Sequence, residues 1–335
     1  MPVVRPAIER PMNDPNRNLD RNPDGSTNGK PAHSQDPSGP PRLDASRPLD
    51  EGLRWAILGQ IEIAEDAAAR IPLSNESSDR AMRVRRCRKA IKRARAVLRL
   101  LRRHADRGAV DRIDADLREA GRRLSSQRDR DVRLQTIARL LGRNASEDAA
   151  SSARVERPDA FEETDRAAEV VQARMRDLED RVGELPIATI PWSWLRRRVA
   201  TRWRRIRRRL RREVARGGDE RLHAVRKACG RLEAQLMLFE GIGDRRVRRR
   251  RKRISRVYET IGEDRDLALA LSTLGVGEAD DELRAAIERR RGELSEELER
   301  RIARLRRHPR RSWSMLAPTK SSKRPSAPDS GDPLP

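Results

Sequence analysis

Between residues 49 and 308, Leu, Ile, Val and Ala recur at three- and four-residue spacing, interrupted by short Gly, Pro or Ser-Asp breaks. Apolar residues so spaced make one face of an α-helix, whereas a half-buried strand would alternate at every second residue, and no such alternation occurs. The pattern predicts helices over 51–71, 78–105, 107–127, 129–141, 161–183, 192–216, 219–240, 244–262, 264–274 and 278–307, an all-α protein. Ser77-Ser78-Asp79 and Gly218-Asp219 offer cap chemistry for the second and seventh helices. A polar stretch at 142–160 reads as a loop, and a break from Gly183 to Pro191 divides the helical region into halves of similar length. Residues 1–48 and 309–335 carry no apolar periodicity and are expected to be disordered tails, with Trp313, Met315 and Leu316 as the candidate anchors.

The two halves, 49–184 and 190–308, repeat one another. Val84 to Leu101 is followed by Leu124-Ser-Ser-Gln-Arg-Asp129, and Leu222 to Phe239 is followed by Ile261-Gly-Glu-Asp-Arg-Asp266. Arg85 aligns with His223 at an offset of 138 residues, and Arg128 with Arg265 at 137. A tandem pair of pseudo-symmetric helical bundles is the expected architecture.

On a helical wheel at about 100° per residue, the second helix separates into two faces. Arg85, Arg88, Lys89, Lys92, Arg93, Arg95 and Arg99 share one, while Val84, Cys87, Ala90, Ile91, Ala94, Val97, Leu98 and Leu101 share the other. The seventh helix does likewise, with His223, Arg226, Lys227 and Arg231 opposite Leu222, Val225, Cys229, Leu232, Leu236 and Phe239. The apolar faces are core. Solvated basic faces usually carry acidic partners one turn away, yet no acid lies between Asp79 and Asp106. An uncompensated stripe of like charges points to an anion. The Arg196–Arg212 and Arg245–Arg256 runs wrap around their helices and are candidates for pairing with acidic residues at 161–183 and 278–300.

Composition strengthens this reading. The 335 residues hold 77 Lys plus Arg against 53 Asp plus Glu, a formal charge of +24, and only seven of the bases are lysine. Such a surplus implies a polyanionic partner: nucleic acid, an acidic surface or inorganic polyphosphate. No apolar run approaches the ~18–20 residues of a transmembrane helix, and no apolar signal core opens the chain, so a cytoplasmic location without membrane contact is expected. Two cysteines, Cys87 and Cys229, do not make a disulfide framework or a zinc site. Neither a catalytic triad spacing, an HExxH motif, a P-loop nor a glycine-rich βα turn occurs, so no enzyme activity, metal or cofactor is expected. Of the histidines, His33 and His308 border the tails, His104 ends a helix, and His223 sits in the basic stripe. Bound phosphate would raise the His223 pKa, so its contribution to binding is expected to fade above about pH 7. Asp129, Asp131, Asp264 and Asp266 each follow a helix break and are read as N-caps, a magnesium pair being the alternative.

Two copies of a His-x-x-Arg-(Lys)-x-x-Lys-x-x-Arg helix, each followed some forty residues later by a Leu-Gly-x-x-Arg-Asp break, resemble the CHAD domain (conserved histidine α-helical domain). The resemblance spans about 50–307. It implies two helical bundles with a basic central channel or surface that binds inorganic polyphosphate, a location at polyphosphate granules, and a separate CYTH-type or polyphosphate-metabolising enzyme as partner. Carried over residue by residue, it marks Arg88, Lys89, Lys92 and Arg95 in the first copy, and His223, Arg226 and Lys227 in the second. Arg85 replaces the first histidine, while Gly230 and Glu233 stand where the family has positive residues, so the second copy is expected to bind more weakly. With the flanking charges, the candidate polyphosphate-binding set is Arg85, Arg88, Lys89, Lys92, Arg95, Arg99, Arg128, His223, Arg226, Lys227, Arg231 and Arg265. The alternatives are a sequence-nonspecific nucleic-acid binder, which the scarcity of stacking aromatics disfavours, and an accessory subunit of a triphosphate or polyphosphate enzyme.

Overall fold

The computed structural model describes residues 42–44, 47–74, 76–124, 158–240, 242, 245–272 and 278–306. Eight α-helices account for nearly all of them: α1 (Leu49–Ala69), α2 (Ser77–Leu101), α3 (Arg107–Arg123), α4 (Pro158–Gly183), α5 (Trp192–Arg216), α6 (Asp219–Met237), α7 (Arg245–Leu271) and α8 (Glu278–Arg306). A short 3₁₀ turn, Leu238–Glu240, extends α6. No strand is present among the described residues; a single antiparallel bridge joins Ala105 to Ile187. The helix expected at 129–141, residues 1–41 and 309–335 of the two tails, Asp129, Asp131 and Arg128 lie outside the described residues. The end of the first tail departs from the disorder expected of it: Leu43 is buried in the core and donates its backbone N–H to the Leu238 carbonyl at 2.9 Å.

Helix neighbours follow the chain. In one group α1 packs on α2 and α4, and α3 on α2 and α4; in the other α5 packs on α6 and α8, and α7 on α6 and α8. The α2–α6 pair joins the groups. The apolar faces read from the sequence supply the contacts. Val84, Cys87, Ala90, Ile91, Ala94, Val97, Leu98 and Leu101 of α2 are all buried, as are Val225, Cys229, Leu232, Leu236 and Phe239 beyond it, with Leu222 partly so. Each large side chain so buried contributes about 1.5–3 kcal/mol, and one continuous core runs through both groups. A smaller cluster of Leu267, Ala270, Leu283, Ile287 and Leu294 closes the far end of α7 against α8. Between the groups, Gln235 of α6 donates its Nε2 to the Ala96 carbonyl of α2 at 2.8 Å, both residues being buried.

Helix ends depart from the expected caps. α2 begins at Ser77 with Glu76 before it and no side-chain cap bond, so Ser77-Ser78-Asp79 form its first turn. Asp106 caps α3, its Oδ1 accepting from the Ala109 N–H at 2.6 Å. The turn from α5 to α6 is made by Gly217 and Gly218 at φ of 64° and 96°, a left-handed pair that side chains with a Cβ adopt at a cost. Arg54 of α1 satisfies carbonyls at the end of α4, donating to Gly183 and, at 2.9 Å, to Leu185.

One expected break is absent. The helices read at 244–262 and 264–274 form a single helix, α7, which passes through Gly262-Glu263-Asp264 uninterrupted. Asp264 and Asp266 are therefore mid-helix residues rather than caps, and Asp264 accepts from Arg291 of α8 at 2.8 Å. Glu263 similarly pairs with Arg290 at 2.8 Å. Here α8 supplies the arginines and α7 the acids, the reverse of the pairing expected for this helix pair.

Candidate functional site

The basic faces of α2 and α6 meet at the seam between the two groups. With α3 and α7 they wall a cavity of about 610 Å³. α2 contributes Arg88, Lys89, Lys92, Arg93, Arg95 and Arg99; α3 adds Arg118 and Arg122. α6 brings His223, Arg226, Lys227, Arg231 and Glu233, and α7 brings Tyr258, Arg265 and Asp266. Among the described residues, twelve Lys and Arg side chains thus face two carboxylates, Glu233 and Asp266.

Ten of the twelve residues singled out from sequence line this one cavity. Arg85 does not. It is exposed, one turn before Lys89, and outside the wall, although its charge reaches Lys89. Arg93, Arg118, Arg122 and Tyr258 were not in the set. Arg93 shares the α2 stripe and was legible as part of that face. The two α3 arginines carried no signal of their own, because only the packing of α3 on α2 turns them toward the cavity.

The acid-free stripe on α2 is compensated from another helix. Asp114 of α3 accepts from Arg95 Nε at 2.9 Å and Nη2 at 3.2 Å, and from Arg99 Nη2 at 3.1 Å. Burial alone would raise the Asp114 carboxyl, but the hydrogen bonds and charges of Arg95 and Arg99 outweigh it and hold the pKa below its ordinary value. Arg88 also reaches α3, donating Nη1 to the Gly121 carbonyl at 2.8 Å. Lys89 is exposed on this face, and its pKa is lowered by desolvation first and by Arg93 next. Arg93 is lowered for the same first reason, against the opposing pull of Glu233.

On the other wall, Glu233 accepts from Arg251 Nη1 at 2.9 Å, and Glu240 takes Arg251 Nε at 2.6 Å. Burial opposes the Arg251 charge, but the two carboxylates prevail and raise its pKa. Arg226 lies with its guanidinium carbon 5.0 Å from the Tyr258 ring centroid, in cation–π geometry. It also presses on Gly262: a Cβ there would stand 2.8 Å from Arg226 Nη2. Gly230 is small for a parallel reason, since its Cβ would fall 2.9 Å from Tyr258 Cε2. The two glycines make room for one Tyr258–Arg226 stack between α6 and α7. Gly230 is thus a packing requirement rather than merely a lost donor, and a lysine there would displace the ring.

His223 accepts from Arg265, whose Nη1 stands 3.0 Å from Nε2 and closer to Nδ1. Burial, then Arg265, Lys227, Arg226 and Lys92 in turn, lower its pKa to about 4. Near neutrality the ring is uncharged, so the window in which it titrates lies well below the pH 7 expected from sequence. His104, by contrast, sits outside the cavity wall with its ring edge-on to Trp194 at 4.4 Å. Cys87 and Cys229 are buried thiols pushed up to about 12, which keeps both protonated and unreactive. Among the described residues, no group of three or more His, Cys, Asp or Glu side chains could hold a metal ion, and no helix is long and apolar enough to cross a membrane.

A cavity so lined can hold a multiply charged anion by charge-assisted hydrogen bonds from several directions. The fold is similar to that in a crystal structure of the CHAD domain from the plant Ricinus communis, with a TM-score of 0.53 at 19% identity, over 83% of this chain and 98% of that one. Among curated proteins none matches the chain. The CHAD-domain family profile matches residues 64–275, more than half of the chain and both of its basic helices, and the protein therefore belongs to the CHAD-domain family.

Proposed function

We propose that this protein binds inorganic polyphosphate in the α2–α6 cavity, without catalysis. The observation that carries the reading is the lining: twelve Lys and Arg side chains from four helices, opposed by two carboxylates. Linear polyphosphate bears a negative charge on every repeat unit and offers only oxygens. It calls for cations and donors, with no base edges to read and no ring faces to stack. Among the described residues of the wall, Tyr258 is the one Phe, Tyr or Trp, and Arg226 covers its ring. This argues against the base stacking on which single-strand nucleic-acid binders depend. The family to which the chain belongs is linked to polyphosphate binding, which supports the same ligand. A granule location and a separate polyphosphate-metabolising enzyme as partner follow as part of this proposal.

The test is a competition titration. Wild-type protein and Lys89→Gln/Lys92→Gln are titrated with long-chain polyphosphate, then challenged with duplex DNA at matched phosphate concentration. The wild type is expected to prefer polyphosphate, and the double variant to bind roughly tenfold more weakly with a shallower salt dependence, because fewer counterions are released. Preference for DNA, or unchanged affinity in the folded variant, refutes the reading.

A further inference from the structure

Along α5, Arg198, Arg202 and Arg205 recur at four- and three-residue spacing on one helix face, while Leu195, Val199, Ile206 and Leu210 are buried. None of the three arginines lines the cavity. Arg202 differs from the solvated arginines around it. Its Nη1 is out of water and has no hydrogen-bond partner among the described residues. The leading charges that bear on it, Arg198, Arg231, Arg99 and Arg205, are all positive, and with burial as the largest cause its pKa falls to about 10. Arg198 is lowered likewise, by burial, then Arg103, then Arg205. Arg99 and Arg231 belong to the cavity wall. The positive field of the cavity therefore continues past these two residues onto α5.

A buried guanidinium donor without an acceptor, among like charges, costs free energy in the unliganded fold. An anion is the one kind of group that removes both costs, by accepting from Nη1 and by neutralising the cluster. We propose that Arg202, flanked by Arg198 and Arg205, forms a second anion subsite continuous with the Arg99–Arg231 end of the cavity. It receives the part of a linear condensed phosphate that is too long for the cavity. This inference rests on the polyphosphate reading and adds to it that affinity depends on chain length.

The experiment compares tripolyphosphate with long-chain polyphosphate on the full chain, by calorimetry. Four proteins are measured: wild type, Arg198→Gln/Arg202→Gln, the flank variant Arg198→Gln/Arg205→Gln, and the cavity variant Lys89→Gln/Lys92→Gln. Both α5 variants are expected to lose affinity for the long chain, roughly tenfold given two fewer phosphate contacts, while tripolyphosphate binding stays as in wild type. The cavity variant should lose both ligands. Thermal melts establish that each variant is folded; the flank variant keeps Arg202 and decides the matter if the other melts early. Long-chain affinity equal to wild type in the folded α5 variants, or equal losses for both ligands, overturns the subsite and leaves the cavity reading standing. A wild type that binds neither polyphosphate overturns both.

Discussion

Replacing Gly262 by alanine separates binding from stability. The added Cβ would stand 2.8 Å from Arg226 Nη2, 3.1 Å from Nε and 3.2 Å from Cζ. The three nearest atoms all belong to the guanidinium, the far end of a flexible side chain, so Arg226 should swing away while α7 keeps its course. Leaving the Tyr258 face costs about 0.5–1 kcal/mol. Alanine in place of glycine inside a helix returns about 0.8–1 kcal/mol. The two terms nearly cancel, and the melting temperature should barely move. Binding has no such compensation. Arg226 is one of twelve cations in the wall, and withdrawing one partly exposed charge from a polyanion is worth about 1 kcal/mol, roughly a fivefold loss of affinity. Calorimetric titration with polyphosphate beside a thermal melt reads both quantities. Unchanged affinity would refute the assignment of Arg226 to the ligand path. A melting temperature lowered by many degrees would refute the claim that Gly262 serves only the guanidinium.

Gly230→Ala should behave differently, because its Cβ meets the rigid Tyr258 ring at 2.9 Å; a thermal melt should show destabilisation of about 1–3 kcal/mol, typical of overpacking. Asp114→Asn removes the carboxylate shared by Arg95 and Arg99, whose three side chains are 12%, 20% and 28% exposed; unliganded stability should fall by about 2 kcal/mol while polyphosphate affinity rises as two arginines are released. Because the Asp114 pKa is depressed in the fold, its stabilisation is fully present above the usual carboxylate range and is lost as pH falls from that range through the lower folded pKa, so acid melts of wild type should show a decline that the asparagine variant lacks. For His223, neutral in the free protein down to about pH 4, a bound polyanion raises the pKa; affinity should be flat from pH 8 to 6, strengthen below that, and lose the acid limb in His223→Gln.

The helices and both basic faces were legible because each depends on periodicity within one segment. The α2 core stripe from Val84 to Leu101 is a property of the helix itself, and it is buried throughout. What failed depended on a second segment. Gly262-Glu263-Asp264 looks like a helix stop when read locally, but the glycine is there for Arg226 of α6, and Asp264 for Arg291 of α8. The charge on α2 looked unopposed because its partner Asp114 lies on α3, 15 and 19 residues from Arg99 and Arg95. Arg118 and Arg122 were missed for the same reason, since a wheel drawn for α3 alone does not say which of its polar faces meets α2. Arg85 shows the converse limit: it shares the stripe's angle but stands a turn beyond the cavity wall.

The main apolar core, shared by both helix groups and with the Gln235–Ala96 bond buried at the seam, has a consequence for how the chain unfolds. Parting the two helix groups would expose the inner faces of α2 and α6 together and strand the Gln235 amide without its acceptor. The groups are therefore expected to melt as one cooperative unit, with a calorimetric enthalpy equal to the van't Hoff value. A ligand gripping both sides of that seam engages the whole unit at once. Its binding free energy is added to the stability of every helix, those far from the cavity included, and protection from hydrogen exchange should rise as far away as α1 and α8.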